Sequence, residues 1–160
     1  PDLLAKDLQE KYDIDLKNLL NVRTFLDHNR IWKTPAENIH LRKSTSSGAY
    51  VFEGKRLDNN LVSESLKQHI KKWTPYVQKF GLLLIELHTV KPELIAKNIG
   101  KTAATAYDLT HGYSDQYILE VDEFEKILQE AGLTSEEYGI RKFPNSDVAT
   151  VSIGLFKSHL

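Results

Sequence analysis

The chain has no cysteine and no methionine, and its eight glycines stand singly. Without cysteine there are no disulfides and no thiolate metal sites, so any metal would be held by nitrogen and oxygen ligands. With the glycines scattered, no Gly-x-Gly follows any predicted strand, and the usual loop for cradling a nucleotide is missing. An excess of charge is missing too: 21 Lys and Arg face 22 Asp and Glu, a net charge of −1. That gives no electrostatic footprint for nucleic acid or an anionic membrane. The longest apolar run, residues 80–87, is too short to cross a bilayer, and no secretory signal precedes it. A cytoplasmic protein with neither nucleic-acid nor membrane partners is the expectation.

What is present fits one soluble domain. Its 160 residues are 41% hydrophobic and 27% charged, enough to enclose a single core. The opening Pro1-Asp2-Leu3-Leu4-Ala5 already reads as the interior of an amphipathic helix. A trimmed terminus is the plainer explanation. The expectation preferred is that residues 1–160 form a single domain that is the C-terminal portion of a longer one.

Periodicity predicts a helix over residues 2–11 and a strand over 19–26. Residues 31–60 are irregular, punctuated by Pro35, the serine tract 44–47 and Gly54, with a short extended piece at 49–52. A connection this long is a lid, a binding loop or a mobile segment. The strongest helical pattern covers residues 61–79, where Pro75 should tighten the last turn. Gly81 ends it, and residues 82–87 follow as a strand expected to be buried on both faces. A further helix from an Asp122 cap, with Glu125 as its reciprocal partner, runs to 131. Strands at 138–143 and 149–156 close the chain as a hairpin around Pro144-Asn145-Ser146-Asp147. The order implies an open α/β sheet with only its last strand reversed.

Three polar clusters fall at or beyond strand ends, where ligands bind in such sheets. They are Asp27-His28-Asn29-Arg30, then Glu86-Leu87-His88-Thr89, and finally Thr110-His111-Gly112-Tyr113-Ser114-Asp115-Gln116-Tyr117. Each has an ordinary reading: an Asp–His pair is often only hydrogen-bonded, and a buried Glu86 can simply receive backbone donors. Four consecutive polar groups after an apolar strand are harder to attribute to packing. His69 belongs to the buried stripe of the long helix, while Trp32 and Tyr50 suit either local packing or a pocket wall.

The phrases 19–30, 81–89 and 106–117, set in this order of elements, resemble the C-terminal half of class I S-adenosylmethionine-dependent methyltransferases. They are most similar to polyketide-synthase-associated domains, including metal-dependent C-methyltransferases. The resemblance implies a partial Rossmann-like sheet with a C-terminal antiparallel hairpin and helices on both faces. It implies S-adenosylmethionine as cofactor, although no cofactor-binding residue can be assigned without the glycine-rich loop.

It further implies a divalent metal, iron or manganese, on His28 and Gln116. Asp27, His88 and His111 would be catalytic or would orient the ligands, His111 or His88 removing a proton. Arg30, Tyr107 and Tyr113 would meet substrate. The implied reaction is methylation of a malonyl-type unit on an acyl carrier protein through a metal-stabilised enolate. A metal-free methyltransferase of another acceptor, such as a small molecule, and a non-catalytic docking fragment remain as alternatives.

Overall fold

The computed structural model describes residues 1–36, 42–104 and 114–158. Helix α1 (Asp2–Tyr12) ends on Asp13 in the left-handed region and leads through a short 3-10 turn to strand β1 (Asn21–Thr24). A small hairpin follows, β2 (Tyr50–Phe52) and β3 (Lys55–Leu57), turning through Glu53 and Gly54, both at positive φ. Helix α2 (Asn59–Lys71) starts from Asp58, whose carboxylate accepts the Asn60 amide. A 3-10 turn at Thr74–Tyr76 contains Pro75, as expected of a proline that cannot donate to the helix. Then come β4 (Leu82–Leu87), α3 (Pro92–Lys97), α4 (Val121–Glu130), β5 (Leu133–Phe143) and β6 (Val151–Ser158).

The main sheet has the order β1-β4-β6-β5. β1 and β4 are parallel, while β6 lies antiparallel to both β4 and β5. Only the last strand is therefore reversed. Gly81 allows β4 to start close against β6, since a Cβ there would stand 2.7 Å from the Phe156 carbonyl, and its φ is +90°.

One face of the sheet carries the core. Leu82, Leu84 and Phe156 pack under Val62, Leu66 and Ile70 of α2 and Phe124, Ile127 and Leu128 of α4. The other face differs from expectation. β4 alternates buried and half-buried positions, so Leu83, Ile85 and Leu87 are not sealed, and neither are Ile153 and Leu155 of β6. The two longer crossover helices, α2 and α4, pack on the same side. β1 is an edge strand with Val22 54% exposed, flanked by Leu20 and Leu26 at 51% and 50%.

The long connection after β1 is strapped down in its serine tract. Glu123 of α4 is wholly buried and accepts hydrogen bonds from Arg42, Ser44 Oγ (2.9 Å), Thr45 Oγ1 (2.8 Å) and Ser63 Oγ (2.8 Å). Glu120 holds Ser47 by its amide (2.8 Å) and hydroxyl (2.5 Å). α4 begins at Val121, with Glu120 at its N-cap position and no side-chain capping bond, rather than from the expected Asp122 cap. Asp122 pairs instead with Lys91 at 3.1 Å.

Candidate active site

The chain leaves β1 through Phe25, a bulky residue held at φ 55° while its amide donates to Ile85 O at 2.7 Å. A left-handed phenylalanine is strained, and such strain persists only where surrounding contacts hold it. Its consequence is positional: the chain folds back over the end of β4 and sets residues 27 and 28 on Glu86. That carboxylate accepts the amides of Asp27 (2.9 Å), His28 (3.2 Å) and Leu87 (2.7 Å). Its Oε1 also receives His28 Nδ1 at 2.5 Å, with both side chains out of solvent.

Because a carboxylate only accepts, Nδ1 carries the proton, and the neutral ring has its lone pair on Nε2. No described residue takes that nitrogen. The gap beside the pair is a cavity of about 10 Å³, walled in part by Leu66, Tyr117, Leu119 and Phe124. That is room for about one water-sized group.

Asp27 sits at the centre of a second buried cluster. Its Oδ1 accepts Arg23 Nε (2.9 Å) and pairs with His69 Nε2 (2.9 Å), and Arg23 lies over the Trp73 ring at 4.8 Å. Burial alone would raise its pKa, but the hydrogen bonds and charges of His69 and Arg23 outweigh burial and hold it below the usual range. Asp27 is thus an ion-pair hub and positions the turn that carries His28.

Arg30 is 5% exposed and donates to the carbonyls of Asp27 (3.0 Å) and Val62 (2.9 Å) and to Ser65 Oγ (3.3 Å), over the Tyr117 ring. Burial lowers its pKa to about 10, against the opposing charge of Asp27. It therefore stays cationic at neutral pH.

The other expected residues are placed differently. His88 is wholly buried: Nδ1 faces Leu119 O (3.1 Å), Nε2 meets Ser152 Oγ (2.7 Å), and the ring stands edge-on to Phe124. Burial lowers its pKa to about 4. This corrects the expectation that it meets an acceptor, because neither nitrogen is open. Gln116 precedes Tyr117, whose amide donates to His28 O at 2.9 Å, so the two segments lie side by side. His111, Tyr107 and Tyr113 lie outside the described residues. Tyr50 is core, its hydroxyl donating to Ile118 O at 2.9 Å, and Trp32 packs on Tyr117.

Among the described residues no group of three or more histidine or carboxylate side chains is placed to hold a metal ion. His28 keeps one open nitrogen, while Asp27 is committed to Arg23 and His69.

A buried imidazole oriented by a carboxylate at the carboxyl end of parallel strands is suited to moving protons, and the chain's relationships agree with an enzymatic reading. The family model of the AprA MT2-like domain, a methyltransferase family, matches residues 1–154. The chain belongs to this family. A comparison with curated proteins gives no match. In this AprA MT2-like domain Glu86 does receive backbone donors, and it also pairs with the His28 ring. Its signal was its place on β4, opposite a polar turn. His69, on the buried stripe of α2 or its margin by its spacing, is a partner of Asp27. Among the described residues no helix is long and apolar enough to cross a membrane.

Proposed function

We propose that this methyltransferase domain transfers a methyl group to carbon, with His28 as general base and Glu86 as its orienting partner. The observation that carries the reading is the 2.5 Å contact between His28 Nδ1 and Glu86 Oε1, which leaves Nε2 without a partner among the described residues. A carbon acceptor must lose a proton before it can attack a methyl group, and oxygen or nitrogen acceptors need less help. Since the gap at the pair admits about one water-sized group, His28 Nε2 takes the proton through one water from the carbon beside a carbonyl; the C–H bond breaks and its electron pair enters the carbonyl as an enolate. Glu86 stabilises the resulting imidazolium. The enolate carbon is then the nucleophile. The acceptor class is a malonyl-type or β-carbonyl acyl unit borne by an acyl carrier protein, whose doubly activated carbon is acidic enough for an imidazole base.

S-adenosylmethionine supplies the methyl group when bound. In this reading it is held mainly by protein outside residues 1–160. Support comes from the lack of a glycine-rich loop, the open edge of β1 with its exposed Leu20 and Val22, and the half-buried second sheet face.

The test is methylation of a malonyl-loaded carrier protein by the intact enzyme containing this domain, followed by mass spectrometry. His28→Ala should lower turnover by roughly a hundredfold or more, the scale of a lost general base. Wild-type turnover in that variant would defeat the reading.

A further inference from the structure

Beside the proposed base, the turn after β1 and the flank of α2 enclose a cavity of about 400 Å³. Among the described residues its cationic or titratable lining side chains are Arg23, Arg30, Lys33, His69 and Lys72, and none of its lining residues is a carboxylate. Asp27 behind it answers Arg23 and His69. Lys33 and Lys72 make no ion pair among the described residues, and both are exposed at the rim. Arg30 is the deep member, and its situation is unusual. Among the described residues its three hydrogen-bond partners are neutral: two carbonyls and a hydroxyl. A guanidinium has five N–H groups, so each terminal nitrogen keeps one donor beyond these contacts. The carboxylates of Asp27 and Glu86 offset the Arg30 charge only through space, with no hydrogen bond to it among the described residues, so an anion in direct contact would be favourable.

We propose that this cavity is an oxyanion site, taking a phosphate or carboxylate group between Arg30 at its floor and Lys33 and Lys72 at its rim. Ser65, Gln68 and Asn29 add neutral polar groups to the same wall. That the anion belongs to the methyl acceptor rests on the methyl-transfer reading, since Arg30 follows His28 by two residues and shares Tyr117 with the dyad. Anion binding itself rests on the charge arrangement alone. A phosphate monoester and an acyl carboxylate share this chemistry, and the experiment separates them.

The chain, labelled with ¹⁵N, is titrated with inorganic phosphate, with malonate and with dimethyl malonate as the uncharged control. The expected result is saturable shifts of the Asn29, Arg30 and Lys72 amides with at least one anion and none with the diester. Preference for phosphate assigns a phosphate monoester, and preference for malonate assigns the acyl carboxylate. The paired rim variant Lys33→Glu/Lys72→Glu should fold normally and weaken the preferred anion at least tenfold. Arg30→Gln, where it folds, should abolish saturation. No saturable shift with either anion, or unchanged affinity in the rim variant, would overturn the site. These readings involve no methyl transfer, so their failure is distinct from wild-type turnover in His28→Ala.

Discussion

Glu86 grips His28 twice, once through the ring nitrogen at 2.5 Å and once through the backbone amide at 3.2 Å. A carboxylate that fixes both the ring and the main chain beneath it sets the direction of Nε2 as well as its proton state. Preorganisation of this kind is what an oriented base requires.

Glu86→Gln should therefore damage catalysis more than binding. The amide fills the same space but cannot stabilise an imidazolium. Steady-state kinetics should show kcat down roughly a hundredfold, about 3 kcal/mol of barrier, with KM for the acceptor changed little. An equal loss in KM alone would mean that Glu86 only holds the loop.

His88 should make the fold acid-sensitive in a window of its own. Its folded pKa of about 4 lies below the ordinary 6.5 because burial disfavours the charged ring. Below pH 6.5 the unfolded chain takes up a proton that the folded chain refuses. Stability is thus fully present above 6.5 and falls as pH drops towards 4, by up to about 3 kcal/mol. Denaturant melts of wild type and His88→Gln across that range check this: the variant should lose the slope between pH 6.5 and 4.

Glu123 acts lower on the scale. Burial would raise its pKa, but hydrogen bonds from Arg42, Ser63, Thr45 and Ser44 outweigh it and hold the value at about 2, against an ordinary 4.5. Its contribution is present above pH 4.5 and is lost as pH falls from 4.5 towards 2. Glu123→Ala, which strands several buried donors, should cost about 3 kcal/mol at neutral pH. Hydrogen exchange should then show residues 44–47 released before the sheet, and simultaneous release would mean that the strap and core are one unit.

S-adenosylmethionine should bind this chain by itself weakly or not at all. The motivating feature is the absence of clustered glycines beside any strand. Calorimetric titration up to millimolar cofactor should show no saturation; tight one-site binding would sink the proposal that the cofactor is held elsewhere.

The succession of β1, α2 and β4 was legible because residues 82–87 are apolar enough to be a central strand and Gly81 stops the preceding helix. Coverage of the sheet's second face was not. Leu83 and Ile85 look the same in sequence whether a helix covers them or not, since hydrophobicity records a tendency to be buried and not its fulfilment. β3 carries no hydrophobic signal because Lys55 and Arg56 are polar and exposed on a short hairpin. Residues 27–30 announced a site by their density of polar groups. The Glu86 partnership depended on the Phe25 turn, a backbone event no side-chain pattern encodes. The serine tract read as a loop, and only the fold showed that two glutamates from α4 bind it.

The place of β6 between β4 and β5 has a consequence for the order of synthesis. As the polypeptide emerges from the ribosome, β4 and β5 appear first, and neither neighbours the other in the sheet. Until residues 151–158 follow, β4 keeps an open apolar edge and β5 has no strand beside it. His88 likewise waits for Ser152 before its second nitrogen is satisfied. The sheet that carries Glu86 is thus completed by a strand made after everything it joins. In the interval the nascent chain displays one open edge of β4, whose other edge meets β1, and the unpaired β5, the surface most prone to pair with a neighbour or be shielded by a chaperone.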